Sequence, residues 1–195
     1  MLPEMQSEMQ TAVLDACVLY PVHLRDFLLH LGSQGEIIPF WSEEIQNEWT
    51  RNLLLNRPDI KRESLERTRR RMAFHFPKGQ VQGYESITST LWLPDPNDRH
   101  VLAVAIHTKA KYIVTFDLNH FPNAVLQPHN IEAVSPDELV MRLIQKRPVH
   151  ILDVVKTHRL SLTRPPKTVD EYLATLEEQG LAKTVAFLRE YRSDI

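Results

Sequence analysis

The sequence predicts an α/β fold with a mostly parallel sheet and extra helices at its C-terminal end. Three observations predict it. Short apolar runs alternate with segments of helical period along residues 11–145, the pattern of strand–helix–strand units with helices on both faces of a sheet. Acidic residues stand where those elements start or stop. Beyond residue 146 the strand-like runs cease and only helical spacing continues.

Residues 1–10 read as a loose, flexible N-terminal tail. Thr11-Ala12-Val13-Leu14 is a buried strand that ends at Asp15. A helix follows from about 21 to 31, with Leu24, Phe27, Leu28 and Leu31 on one face. Glu36-Ile37-Ile38-Pro39-Phe40 is a second short strand, and Ser42 is placed to cap a helix carrying Ile45, Glu48, Trp49 and Leu53. Pro58 opens a basic helix with Lys61, Arg62, Arg67, Arg69, Arg70 and Arg71, broken by Pro77-Lys78-Gly79. Leu91-Trp92-Leu93-Pro94-Asp95-Pro96 forms a rigid entry to the apolar helix that Asp98 opens. A strand at 112–116 precedes a short one at 131–134, and Ser135-Pro136-Asp137-Glu138 caps a helix through about 144. Residues 146–195 form a helical extension, with a helix from about 149 to 158 and a linker at 163–167. Thr168 and Glu171 pair as a capping box, Gly180 stops that helix, and a last helix carries Leu181, Val185 and Leu188.

The bulk numbers set limits. A chain of 195 residues can bury a sound core, and 43% hydrophobic with 25% charged residues is ordinary for a globular protein. Five glycines are too few for a phosphate-cradling or dinucleotide-binding loop at fixed spacing. The single cysteine, Cys17, excludes an internal disulfide framework and suits a reducing cytosol, so a cytoplasmic location is expected. No apolar stretch is long enough to span a bilayer, and the acidic opening does not read as a signal peptide. With a net charge of -2, any basic footprint for a nucleic acid must be local.

The chemistry-bearing residues are acids. Asp15 and Asp117 end apolar strands, Asp98 opens a helix, and Glu48 lies one turn into another. The carboxyl ends of parallel strands and the adjacent helix starts converge on one crevice. Carboxylates gathered there repel one another, and hard divalent cations with oxygen ligands neutralise them most simply. That favours Mg²⁺ or Mn²⁺ over a zinc site built on Cys and His. Such ions acidify an attacking water and stabilise the leaving oxygen in phosphodiester cleavage. Glu48 is a candidate ligand for a second ion or the acceptor of the water's proton.

The motifs Val13-Leu14-Asp15-Ala16-Cys17-Val18-Leu19, Ser42 with Glu48, Asp95-Pro96-Asn97-Asp98-Arg99-His100-Val101-Leu102-Ala103-Val104-Ala105 and Ile113-Val114-Thr115-Phe116-Asp117 together resemble the PIN domain. The resemblance covers residues 11–145, and the extension at 146–195 is similar to one found in a subgroup of VapC-type toxin ribonucleases. It implies a three-layer α/β/α fold and Mg²⁺-dependent endoribonuclease activity. Asp15, Asp98 and Asp117 would ligate metal, with Glu48 as the fourth acid. Thr115 would orient a carboxylate or a metal-held water, and Asp95 would support the ligands. The resemblance also implies an RNA substrate, an antitoxin partner and a homodimer. One departure stands out: relatives often carry an acid three positions after the Asp117 position, where this chain has His120.

Blander readings compete at each point. An Asp after a strand is usually a helix cap, and Glu48 alone is an ordinary solvated helix residue. Arg62, Arg69 and Arg70 could grip RNA phosphates, yet Glu63 and Glu66 interleave at spacings that pair with Arg67 and Arg70 on a solvated face. His100 and His120 are near the acids in sequence. Cys17 reads as a core residue rather than a nucleophile, and Trp41, Trp49 and Trp92 as core or interface anchors. A haloacid-type phosphatase needs a second Asp where Cys17 stands, and a receiver domain needs adjacent acids after its first strand. The remaining alternatives are a non-catalytic PIN-like module that binds RNA or protein, and a nuclease acting on DNA.

Overall fold

The structure is a computed structural model and describes residues 10–195. The expected N-terminal tail lies outside the described residues, apart from Gln10, which opens the first strand. Five parallel strands form one sheet: β1 (Gln10–Leu14), β2 (Ile37–Ser42), β3 (Gln80–Val81), β4 (Tyr112–Val114) and β5 (Glu132–Val134), in the order β3-β2-β1-β4-β5. β1 is central, pairing Val13 with Phe40 of β2 on one side and with Ile113 of β4 on the other. Ala12, Val13 and Leu14 are fully buried, as a strand covered on both faces requires.

Between and after the strands run α1 (Ala16–Leu19), α2 (Val22–Ser33), α3 (Glu43–Asn56), α4 (Arg62–His75), α5 (Glu85–Thr88), α6 (Arg99–Thr108), α7 (Asn123–Leu126), α8 (Pro136–Lys146), α9 (Pro148–Ser161), α10 (Val169–Glu178) and α11 (Ala182–Glu190). The result is the three-layer α/β/α sandwich that the alternation of strands and helices predicts. α6 packs across β1, β2 and β4 and buries Val101, Leu102, Ala103, Val104 and Ala105, so its apolar run serves the core. Trp41 and Trp49 are fully buried, with the Arg25 guanidinium 4.5 Å from the Trp49 ring centroid.

Several local signals act as the sequence leads one to expect. The Ser42 side chain accepts the Ile45 N–H, Ser135 accepts the Glu138 N–H, and Thr168 and Glu171 close a reciprocal capping box. Gly180 takes a φ of +83° just after α10, a conformation that favours glycine. Other expectations shift. The basic helix begins at Arg62, not at Pro58, because Arg57 to Ile60 close a turn through the Ile60 N–H to the Arg57 carbonyl. The strand at 112–116 stops at Val114, freeing Thr115 to Asp117 for a loop. Strand β3 and helix α5 give no periodic signal at two and four residues. Trp92 is 64% exposed, so of the two expected roles, core or interface anchor, it does not fill the core one. Its neighbour Leu93, at 1%, takes the buried place in that extended segment.

The C-terminal helices are tied to the sheet domain by polar pairs at buried positions. Glu36, ahead of β2, meets Arg147 at 3.1 Å and His150 at 2.7 Å. His158 of α9 bridges Asp26 of α2 at 3.2 Å and the Tyr172 hydroxyl of α10 at 2.8 Å. Asp137 of α8 accepts the Lys183 and Thr184 N–H groups and the Thr184 hydroxyl, capping α11. No described helix is long and apolar enough to cross a membrane.

Candidate active site

The strand order places the site. The chain passes from β1 to β2 on one side and later adds β4 on the other, so the loops leaving β1 and β4 part and open a crevice at their carboxyl ends. Asp15 is the first residue after β1, and Thr115, Phe116 and Asp117 follow β4 directly. α3 and the start of α6 wall the crevice. All four acids, Asp15, Glu48, Asp98 and Asp117, line this single cleft of ≈ 930 Å³, together with Asp95, His100 and His120.

Asp15 is only 6% exposed. Its Oδ1 accepts the Ala16 N–H at 2.6 Å and its Oδ2 accepts the Thr115 hydroxyl at 2.7 Å. Burial nonetheless pushes its pKa above the ordinary carboxylate value; hydrogen bonds from Thr115, Ala16 and Cys17 oppose the rise and the nearby Asp98 charge adds to it. Thr115 is fully buried and also accepts the Asp117 N–H at 3.0 Å. One hydroxyl therefore orients the Asp15 carboxylate and fixes the turn that presents Asp117.

Cys17 has a packing role. Its sulfur accepts the Phe116 N–H at 3.3 Å and lies 3.3 Å from the Thr115 hydroxyl. Burial and then the Asp15 charge push the thiol up to about 12, so it stays protonated at neutral pH and is no nucleophile.

Asp98 is not a plain helix cap. Its side chain makes no capping bond to α6. Asp95 caps the single turn at Pro96–Asp98 that leads into α6, accepting the Asn97 N–H at 2.9 Å. Asp98 Oδ2 instead meets His120 Nδ1 at 2.7 Å. Burial raises the Asp98 pKa against the opposing pull of His120, and the bond to Asp98 raises that of His120. Where relatives often carry an acid, this chain has an imidazole that pairs with Asp98.

The donor atoms fall into two groups. Those of Asp15, Cys17 and Asp117 lie within 4.8 Å of one another, and so do those of Asp95, Asp98 and His120. Carboxylate oxygens dominate both, a donor set that fits a hard divalent cation. Glu48 belongs to neither group. Its Oε2 is 3.7 Å from Nε2 of the buried His100, whose Nδ1 is 3.9 Å from Glu44 and has no hydrogen-bond partner among the described residues.

Further lining residues escaped sequence reasoning. Glu44, Asn47 and Arg51 share the cleft-facing side of α3 with Glu48, and Tyr84 and Thr88 come from around α5. The spacing of Glu44, Asn47, Glu48 and Arg51 is that of one helix face, and was the available signal. Arg62 and Arg69 line a groove between α3 and α4. Arg69 is held by Glu43 and by Asn47 Oδ1 at 2.9 Å, whereas Arg70 is exposed outside the groove. Among the described residues, Glu63 and Glu66 form no ion pair with Arg67 or Arg70.

Sheet topology, acids at the strand ends and the hydroxyl behind them are the features of one fold family. Residues 11–119, more than half of the chain, match the family model of the PIN domain, and the chain belongs to that family. Residues 136–190 match a second model, the VapC50 C-terminal domain. Among curated proteins, 44 residues are 48% identical to the protein named "Putative ribonuclease VapC50" of Mycobacterium tuberculosis (strain ATCC 25618 / H37Rv). That stretch covers 23% of this chain and 26% of the relative, so the match spans about a quarter of the relative's length. No solved structure matches with significance. The second match opens at α8, ahead of the extension's expected start at 146, and α8 is the helix whose Asp137 caps α11.

Proposed function

We propose that this chain is an endoribonuclease that hydrolyses RNA phosphodiester bonds with Mg²⁺ or Mn²⁺, and that it serves as the toxin of a toxin–antitoxin pair. The observation that carries the reading is the convergence of Asp15, Glu48, Asp98 and Asp117 on one cleft, with a buried Asp15 beside other carboxylates. Asp15, Asp98 and Asp117 would hold the ions, with Asp95 at the Asp98 side. When bound, such ions activate water and neutralise charge on the phosphate. Thr115 keeps the Asp15 carboxylate oriented, as a residue that would hold an ion requires. Glu48 faces the cleft outside both donor groups, which suits it to receive a proton from the attacking water. His120, bonded to Asp98 at 2.7 Å, would offset the Asp98 charge when protonated. No protein nucleophile is needed, and the Cys17 thiol is not available as one.

The name of the Mycobacterium tuberculosis relative and the VapC50 C-terminal match support the ribonuclease and the VapC-type assignment. A homodimer, an antitoxin partner, a cytoplasmic location and a division at about residue 146 belong to the same proposal.

The decisive experiment incubates the purified chain with single-stranded RNA, and with DNA of the same sequence, in Mg²⁺, Mn²⁺ or EDTA. Cleavage of RNA that requires the metal and disappears in Asp15→Asn is expected. Cleavage of DNA in preference to RNA would move the substrate class. Metal-dependent RNA binding without cleavage would favour the non-catalytic module.

A further inference from the structure

The acidic cleft has a neighbour across α3. Asn47 and Arg51, one turn apart on that helix, line both the cleft and a second groove of ≈ 460 Å³ between α3 and α4. The two spaces therefore adjoin on either side of the Asn47–Arg51 ridge. The character changes on crossing it. The cleft side is dominated by carboxylates, whereas the groove is lined by Arg51, Arg62 and Arg69 against a single glutamate, Glu66. Its floor is apolar, with Leu54, Leu55 and Leu65, and Leu55 is 74% exposed.

We propose that the α3–α4 groove is a binding tract for the strand flanking the scissile bond, with Arg51 and Arg62 on its phosphates and a base against the leucine floor. The inference rests on the ribonuclease reading of the adjoining cleft. Its support is the juxtaposition of arginines and an apolar floor with a carboxylate-lined cleft on the other side of one helix ridge. Arginine forks match phosphate oxygens, and unstacked bases of single strands favour apolar platforms. The three arginines divide the work. Arg69 is committed to Glu43 and Asn47 and holds α4 against α3. Arg51 and Arg62 are exposed and form no ion pair among the described residues, so their charge is available to a ligand. A volume of ≈ 460 Å³ lies within the usual range for a ligand-sized pocket. An acidic protein segment is the competing occupant; it would need the arginines but not the adjacency to a phosphodiester-cleaving cleft.

The test measures binding of a fluorescein-labelled single-stranded RNA of about a dozen nucleotides to the full chain, in an Asp15→Asn background with Mg²⁺, across a series of salt concentrations. Arg51→Gln and Arg62→Gln are each expected to weaken binding about tenfold, the value of one charged hydrogen-bonded contact. Each should also lower the salt slope by about 0.7, one single-strand phosphate contact. Arg51→Lys should keep the slope, and Arg70→Gln, outside the groove, should change neither quantity. Thermal melts of the variants identify any loss due to misfolding, and Arg51→Lys still decides the matter if Arg51→Gln melts early. Unchanged affinity and slope in both glutamine variants would overturn the proposal. So would loss of poly-glutamate binding in those variants with RNA binding intact, which assigns the groove to an acidic protein. If the unmutated chain shows no Asp15-dependent cleavage while the groove variants still lose RNA, the ribonuclease reading falls and the groove assignment stands.

Discussion

Asp15 and Asp137 are two buried aspartates with the same kinds of partner in different surroundings. Asp15 is 6% exposed and Asp137 is 8% exposed. Each accepts a backbone N–H at a helix start and a threonine hydroxyl: Ala16 and Thr115 for Asp15, Lys183, Thr184 and the Thr184 hydroxyl for Asp137. The difference lies in what else each meets. Asp137 has both oxygens committed to the N-terminus of α11, joining α8 to the last helix. Asp15 opens onto a cleft that also holds Asp98 and Asp117, and its raised pKa records burial that its hydrogen bonds do not compensate. Hydrogen-bonded burial alone thus does not mark a functional acid. What sets Asp15 apart is the company of other carboxylates in an open cleft.

Substitution should separate the two aspartates. The largest expected effect is on cleavage in Asp15→Asn, read as initial rates on labelled RNA in Mg²⁺. The loss should exceed the roughly 10–100-fold typical of residues that only support a metal ligand. If the loss stays inside that range, Asp15 is a supporting residue. Thr115→Val should fall within about 10–100-fold, because it releases the Asp15 carboxylate without removing it. Thr115→Ser should recover most of the rate, and its failure to do so would point to packing of the methyl group instead.

Asp137→Ala should leave cleavage intact and cost stability. Losing the cap and three accepted hydrogen bonds costs about 2–3 kcal/mol. For a chain of this size that lowers Tm by about 4–12 °C in a thermal melt. A melt unchanged from the parent would show that α11 does not depend on Asp137.

The smallest effect is on stability against pH without divalent metal. Asp15, Asp98 and His120 all have folded-state pKa values raised above their ordinary ones, by burial for the two acids and by the bond to Asp98 for the imidazole. Groups raised in the folded state contribute stability that is fully present below the unfolded pKa and is lost as pH rises through the folded one. The contribution of these three groups should therefore decline from above 3.8, the ordinary value of the two aspartates, and continue declining beyond 6.5, that of His120, while Asp26, Glu132 and His30, whose pKa values are lowered, contribute the opposite trend. Asp15→Asn should flatten the acid end of that decline, and added Mg²⁺ should raise Tm at neutral pH in the parent only. A Tm difference between the parent and Asp15→Asn that does not change with pH at the acid end would contradict the assigned cause.

Part of the site was legible in sequence because strand ends, helix caps and the alternation of elements are local. Asp15 after an apolar run, Ser42 as a cap and the Thr168–Glu171 box depend on residues a few positions apart. Thr115 was identifiable as the hydroxyl before Asp117, although its bond to Asp15 joins residues 100 apart in the chain. Other features were not legible. Asp98 looked the same as a helix cap until Asp95 took that task and His120 met Asp98 across 22 positions. Trp92 is as apolar in sequence as Trp41 and Trp49, and only the placement of Leu93 in the core turned it outward.

By itself the sequence determined which residues end strands, which cap helices and which family the order of acids matches, because hydrophobic period and turn chemistry act over short stretches. Only the tertiary structure decided which carboxylates share a space, which of two similar buried aspartates is uncompensated, and which arginines are free for a ligand. Burial and charge proximity are properties of packed neighbours, and the strand order β3-β2-β1-β4-β5 brings those neighbours together from distant parts of the chain.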